Sequence, residues 1–325
     1  MKFDVIVGNP PYQIDTNGSG RQATPVYQKF VETAINLQPN YLVMIMPARW
    51  YSGGFGLDDF RKNVLKDKRF KELYDFESAS KIFPGVDIAG GVCYFLWDKN
   101  YNGQCKVVSS RDNEIAYRDL DEFDIFVRDN QSLNILRKIL KSSDYKNYGS
   151  LIDVVGSIRP FDIPTNYLPR NKGIPCWFKQ KIGLSYADLN DIKDKNGIIN
   201  KWKVLIPKAP IAGQTDFTKP IKIYHEKNVL IARPGEVCTE SYIVASSFDS
   251  REEAENFRNY LFTKTVRFLI LLTLISQDVN KKNFRFVPNL SSFCKPINDD
   301  ILRKIWDLSP SDWEYIDKRV KAIND

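Results

Sequence analysis

Phe3-Asp4-Val5-Ile6-Val7-Gly8-Asn9-Pro10-Pro11-Tyr12 is the stretch on which the reading of this 325-residue chain turns. Phe3 to Gly8 is a short, largely apolar run that Asn-Pro-Pro ends abruptly, the pattern expected of a buried strand. The prolines act mechanically. Pro10 keeps Asn9 out of the α region, and two successive fixed φ angles hold the loop open without a folding partner. Asn9 then offers a side-chain carbonyl oxygen and Pro10 a backbone one, both neutral acceptors. Such a pair suits a planar exocyclic amine. Accepting from both N–H groups draws the nitrogen toward tetrahedral geometry and frees a lone pair otherwise delocalised into the ring, which is stabilisation by preorganised dipoles. An adenine amine activated in this way attacks the sulfonium methyl of S-adenosylmethionine directly, with no covalent enzyme intermediate. Tyr12 adds a flat face for a base swung out of a duplex.

Outward from this motif, residues 1–110 alternate between strand and helix patterns. Val26 to Leu37 sets Val26, Phe30, Val31, Ala34 and Leu37 on one helical face. Tyr41 to Met46 reads as a second buried strand stopped by Pro47. Leu57 to Leu65 reads as a helix with Asp58 and Asp59 in its first turn, where the macrodipole favours them. Lys71 to Glu77 and Gly91 to Trp97 follow as strands. The alternation implies a mostly parallel sheet with crossover helices. Ligands on such sheets sit at the carboxyl ends of strands, where Asn9 and Pro47 both fall.

Phe3 to Tyr12 resembles the catalytic motif of the N6-adenine DNA methyltransferases of restriction–modification systems, in particular the Eco57I-like group. Met46-Pro47-Ala48-Arg49-Trp50 is similar to the next strand-end motif of that group. Lys81-Ile82-Phe83-Pro84 is similar to the segment whose phenylalanine packs on the flipped adenine. The resemblance implies catalytic roles for Asn9, Pro10, Pro11 and Tyr12, with Asn9 and Pro10 binding the amine and Tyr12 and Phe83 sandwiching the base. Arg49 and Trp50 are further substrate-binding candidates: the pair would grip a phosphate or stack on a base, while Trp50 is equally suited to plugging the core edge. The implied fold is α/β, part of a Rossmann-like methyltransferase sheet (residues 1–147) followed by an α+β target-recognition domain (148–325). The implied cofactor is S-adenosylmethionine and the implied partner is double-stranded DNA.

The glycine turn that binds the methyl donor in that group has no counterpart in the expected place. Asn17-Gly18-Ser19-Gly20 follows the catalytic motif and Gly53-Gly54-Phe55-Gly56 follows the second strand, so both read as active-site loops. The expectation is a catalytic half that needs an upstream methyltransferase segment or subunit to hold its cofactor tightly.

Composition narrows the rest. Hydrophobic residues are 43% and charged residues 27%, which fits a folded chain rather than a disordered one. Five cysteines without C-x-x-C spacing and a lone His225 argue against a zinc site or disulfide framework and suit a reducing cytoplasm. The longest apolar run, Phe268 to Ile275, is far short of the ~20 residues of a membrane span, so no membrane is expected.

Residues 1–150 hold 20 Lys+Arg against 19 Asp+Glu, and residues 151–325 hold 27 against 21, so the +7 excess sits mainly in the second half. That suits a polyanion. Trp177-Phe178-Lys179-Gln180-Lys181, Lys201-Trp202-Lys203 and Lys281-Lys282-Asn283-Phe284-Arg285 interleave aromatic and basic residues there, each also readable as an amphipathic surface piece. Ser250-Arg-Glu-Glu253 opens a helix read through about Leu272, and Ser309-Pro310 opens the last one. Two alternatives stand beside the main reading: an Asn-Pro-Pro-Tyr enzyme acting on RNA or a protein glutamine, and a non-catalytic DNA-specificity module. Asp162 and Asp191 with nearby lysines are too generic to indicate a nuclease metal site.

Overall fold

A computed structural model of the chain describes residues 3–14, 23–110, 114–179, 181–211, 213–214, 219–274 and 278–323. Two compact units, Met1–Leu133 and Asn134–Asp325, divide it. The loop at Asn17 to Gly20 lies outside the described residues.

In the first unit, β1 (Val5–Gly8) leads into the Asn-Pro-Pro-Tyr segment, which is followed by the short pair β2 (Gln13–Ile14) and β3 (Thr24–Pro25). Then come α1 (Tyr27–Asn36), β4 (Tyr41–Pro47), α2 (Asp58–Lys66), β5 (Phe70–Phe76), β6 (Val92–Asp98), β7 (Cys105–Ser109) and β8 (Ile115–Arg118). The sheet order is β1-β4-β6-β5-β7-β8. It is α/β, as expected, but mixed rather than mostly parallel. β1 pairs with β4 and β5 with β7 in parallel, while β6 runs against both β4 and β5 and β8 runs against β7. The physical reason is the link between β5 and β6, which carries a single 3-10 turn (Ala79–Lys81) and no crossover helix. A parallel return needs a crossover of a dozen or more residues, usually helical.

The helices cover one face. Tyr27, Val31 and Ala34, spaced i, i+4, i+7, turn α1 onto Leu42, Met44 and Met46 of β4, and Phe60, Val64 and Leu65 bring α2 into the same core with Phe95 and Trp97 of β6. Phe30 and Leu37, expected on that face, are 47% and 44% exposed. They sit about 60–80° round the helix from the buried stripe.

The opposite sheet face is largely apolar and partly exposed, crossed by the Glu72–Lys106 ion pair at 3.6 Å. Val5 and Val7 are 53% and 73% exposed, and in register with them lie Tyr41, Val43 and Ile45, then Leu96 and Tyr94, then Tyr74, with Ile115 and Tyr117 of β8 exposed at the far side. β1 is therefore not the buried strand expected. It is an edge strand, paired only through β4, and nothing among the described residues lies against Val5 and Val7 closely enough to bury them.

The second unit contains the helices α3 (Ser132–Leu140, within which the division falls) and α4 (Ser143–Tyr148), and then β9 (Ile174–Trp177), β10 (Leu184–Ala187), β11 (Trp202–Pro207), β12 (Leu230–Ala232), β13 (Val237–Cys238) and β14 (Tyr242–Phe248). They form two three-stranded sheets, β10-β9-β13 and β12-β11-β14. An isolated parallel bridge pairs Ile221 with Val320.

The helix read as continuous to Leu272 is two: α5 (Arg251–Phe262) and α6 (Lys264–Leu271). Thr263, extended at φ −58° and ψ 144°, breaks the run, and its hydroxyl accepts from the Val266 amide at 3.2 Å to cap the second helix. α7 (Asp299–Ile305) and α8 (Pro310–Arg319) follow, the latter opened by the Ser309–Asp312 capping box with Pro310 in its first turn.

One buried cation organises this unit. Lys203, fully buried on β11, has its Nζ ringed by the carbonyls of Ile198 (3.3 Å), Ile199 (2.8 Å), Lys201 (2.6 Å) and Arg233 (3.1 Å), which share its three N–H donors. It therefore serves the fold and is removed from the basic residues open to a polyanion. Lys203→Met strands these carbonyls and is expected to cost roughly 2–4 kcal/mol in thermal unfolding. Burial also lowers the ammonium from 10.5 to about 8. Between those values the unfolded chain binds more protons than the folded one. This group therefore adds stability as pH rises through that window, and the gap between wild type and Lys203→Met widens there.

Candidate active site at the carboxyl edge of the sheet

Strand direction assembles the site. β1, β4 and β5 point the same way, so Gly8, Pro47 and Phe76 end at one edge of the sheet together with Val92 at the start of the reversed β6. Three loops leave that edge: Asn9 to Tyr12, Ala48 to Gly56, and Glu77 to Gly91. The sequence candidates Asn9, Pro10, Pro11, Tyr12, Arg49 and Phe83 all lie on them.

In the first loop Asn9 and Pro11 are exposed, Pro10 is buried and Tyr12 is half-buried. The loop is pinned beyond the prolines, where the Val26 amide donates to the Tyr12 carbonyl at 3.1 Å and β2 pairs with β3. The Tyr12 hydroxyl is buried without a hydrogen-bond partner among the described residues, and burial raises the phenol above its ordinary value. Asn9 is thus left free to present its amide while its neighbours fix the backbone.

In the second loop the two candidates part company. Trp50 is fully buried, with its indole N–H 3.5 Å from Cys93 Sγ and its ring edge-on to Tyr51 and Phe60. It is a core plug and faces no substrate, which corrects its assignment as a substrate-binding residue. The reason is local: Ala48–Tyr51 forms a 3-10 turn that folds Trp50 back under β4. Arg49 points the other way. Its guanidinium lies 3.7 Å over the ring of Phe55, which is 46% exposed. Gly53, Gly54, Phe55 and Gly56 all have positive φ (75°, 82°, 54° and 79°), a conformation cheap at the three glycines and costly at Phe55. Gly53 has a second reason: a Cβ there would sit 1.8 Å from Arg61 Nη1, which donates to the Ser52 carbonyl at 2.6 Å.

The third loop carries Phe83, half-buried, its amide donating to the Ala79 carbonyl at 2.8 Å. The loop's return is held by residues that the sequence reading missed. Arg128 makes a two-pronged pair with Asp75 at 2.8 and 2.7 Å and donates to the Gly90 carbonyl at 2.7 Å. Asp75 is fully buried beside Tyr51 and Cys93, whose phenol and thiol are both pushed up chiefly by burial, the thiol to about 12. Gly91 completes the junction, since a Cβ there would lie 2.0 Å from the Phe76 carbonyl. A signal did exist: Asp75 occupies the same sheet face as Leu73, a core position where an unpaired charge is untenable.

Among the described residues, Asp75 does not fit the ribose of S-adenosylmethionine. β4, the Gly53–Gly56 loop, α2, β5 and Asp75 do follow the order of a nucleotide-binding unit. Asp75, however, has both oxygens held by Arg128 and is closed to solvent, so it is unable to accept ribose hydroxyls. Among the described residues no group of metal-ligating side chains occurs, and no helix is long and apolar enough to cross a membrane. An open groove of about 860 Å³, lined by residues such as Glu32, Asn63, Lys66 and Arg69, lies at the opposite edge, where β5 begins, and takes no part in the site.

Residues 1–83 match the Eco57I restriction-modification methylase family. The amino-terminal quarter is Eco57I-methylase-like in sequence. An "uncharacterized adenine-specific methylase" of Mycoplasma pneumoniae is 45% identical over 108 residues, which are 32% of this chain and 25% of that protein. The chain thus spans about a quarter of that curated relative's length. Both matches agree with the resemblance carried by the Asn-Pro-Pro-Tyr segment.

Among solved structures, the type IIG restriction endonuclease BpuSI overlays on 94% of this chain and 48% of its own at TM-score 0.35 and 12% identity. A type I restriction–modification assembly overlays on 45% and 31% at TM-score 0.26 and 11% identity.

The Arg128–Asp75 pair gives a stability test. Arg128→Met leaves a buried carboxylate unpaired and is expected to cost about 3–5 kcal/mol in urea unfolding, whereas Arg128→Met with Asp75→Leu recovers most of that loss.

Proposed function

We propose that this chain is the adenine-holding half of a DNA methyltransferase of a restriction–modification system, acting at N6 of a flipped-out adenine with S-adenosylmethionine as methyl donor. The observation that supports this best is the placement of Asn9-Pro10-Pro11-Tyr12. The motif sits at the carboxyl end of a strand, Asn9 exposed and Pro10 buried, among loops that bring Arg49 and Phe83 to the same edge. Asn9 Oδ1 and the Pro10 carbonyl accept from the two amine N–H groups, Tyr12 and Phe83 flank the base, and Arg49 with Phe55 lines the approach. The second unit, with its basic excess, reads target DNA.

The methyl donor is held by a second polypeptide or an upstream segment that completes the sheet. Two features support this. Val5 and Val7 expose an apolar face on an edge strand whose neighbour is parallel, and sheets with parallel pairing are ordinarily covered on both faces. The strand order also runs away from β1 in one direction only, which puts Asn9 at the switch point of a doubly wound sheet once strands are added on the other side. Such an enzyme works in the cytoplasm, where its DNA is.

Calorimetric titration of S-adenosylmethionine into the 325-residue chain, with and without an adenine-containing duplex, tests the division of labour. The chain alone is expected to bind the duplex and not the cofactor, and micromolar cofactor binding by the chain alone overturns the complementation reading. In the reconstituted enzyme, Asn9→Ala is expected to lower kcat by about 10²–10³-fold with duplex affinity kept. An equally large loss of duplex affinity would instead make Asn9 a binding residue.

A further inference from the structure

The hairpin of β9 and β10 in the second unit has no role in the chemistry above, and its surface is unusual for a segment that only packs. Its inner face is core. Cys176, Phe178 and Ala187 are buried in a cluster with Phe161, Val237 and Leu205. Its outer face is not. In the register Leu184↔Trp177 and Tyr186↔Pro175, Leu184 and Tyr186 point outward at 47% and 42% exposure. Leu168 and Ile182 on the flanking segments are 74% and 42% exposed. From Ile163 to Ala187 there is no acidic residue, while Arg170, Lys172, Lys179 and Lys181 supply four positive charges. The Trp177 indole donates to the buried Glu236 carboxylate at 2.8 Å, and the surface carboxylates Asp188 and Asp191 follow the hairpin, so its exposed charges between Ile163 and Ala187 are all positive.

The ribbon is also rigid. Gly183 has φ 73°, the Phe178 amide donates to the Gly183 carbonyl at 2.9 Å, and the Ile182 amide donates to the Lys179 carbonyl at 2.8 Å. At the other end a Cβ on Gly173 would meet the Ala187 carbonyl at 2.1 Å, so the strands approach as closely as backbone allows. A solvated hairpin would expose polar side chains outward, whereas a contiguous exposed apolar face marks an interaction surface. The charges select its occupant, since a run of lysines without carboxylates suits a polyanion and repels a basic partner.

We infer that the β9–β10 hairpin is the element of this chain that enters the major groove of double-stranded DNA. Lys172, Lys179 and Lys181 lie on backbone phosphates, and the Leu184–Tyr186 face meets the base edges. A two-stranded ribbon fits that groove, and apolar side chains there pack on thymine methyl groups. The inference rests on reading the chain as a DNA-acting enzyme, and names the part that touches the duplex.

The test is the salt dependence of binding of the full chain to a mixed-sequence duplex, followed by fluorescence anisotropy, because the phosphate contribution needs no knowledge of the target sequence. Every phosphate that ceases to be neutralised makes the slope of log K against log salt shallower by about 0.9, so K172Q/K179Q/K181Q is expected to make it shallower by about 2 to 3. These are exposed positions, and an unchanged melting temperature confirms that the fold is kept. An unchanged slope with the duplex still bound overturns the hairpin assignment and leaves the methylase reading standing. No duplex binding by the wild-type chain at low salt removes the DNA reading itself, and this inference with it.

Discussion

The candidate site hangs from a charge that water does not reach. Asp75 ends the buried face of β5, where a lone carboxylate would cost several kcal/mol, and Arg128 is held against it by two short hydrogen bonds. Having satisfied Asp75, the same guanidinium reaches the Gly90 carbonyl and lies 5.3 Å from the ring centre of Tyr51. One side chain therefore ties together the strand end, the return of the Phe83 loop and the aromatic layer under the Arg49 turn. Buried ion pairs rarely add much stability over an apolar replacement, so what this pair contributes is position.

Among the described residues, the sheet that carries the site buries one face well and leaves the β1 end of the other exposed. Val5 and Val7, 53% and 73% exposed, each forgo roughly 1–2 kcal/mol that full burial would add. This second face follows the register across several strands, from Val5 and Val7 through Tyr41 and Leu96 to Tyr74. Solvent is a poor neighbour for such a surface, and a paired strand with a helical layer is a good one. The Asn9–Tyr12 loop depends on proline stereochemistry and on the carboxyl edge, both internal to this chain, while Asp75 at the end of β5 is committed to Arg128.

The second unit uses its charge in two ways. Lys203 is fully buried and serves backbone carbonyls, although in sequence it sits in one of the basic, aromatic clusters that suggest DNA binding. Phe284 of another such cluster is likewise core. The hairpin cluster at Trp177 to Lys181 differs, since Lys179 and Lys181 stay at the surface while Phe178 anchors the ribbon. Composition counts all these residues alike, and burial separates them.

The local pieces are legible in the linear order of residues: the strand ended by Asn-Pro-Pro, the amphipathic helices after it, the Ser309 cap, and the chemistry that two neutral acceptors and an aromatic face imply. Each depends on stereochemistry or periodicity within a dozen residues. Other features depend on how strands pair and turns rotate side chains in the folded chain. The reversal of β6 is decided by the missing crossover between β5 and β6. The exposure of β1, with an apolar pattern identical to that of a buried strand, is decided by whether a neighbour lies beside it. Trp50 is core and Arg49 is not because a single 3-10 turn rotates adjacent side chains to opposite sides. Asp75 and Arg128 stand 53 residues apart, and the core position of Asp75 calls for a partner that only folding identifies, at 2.7 Å. Pattern limits what a segment can become, and pairing and burial, which belong to no single segment, decide which of its faces meets the core, the substrate or the solvent.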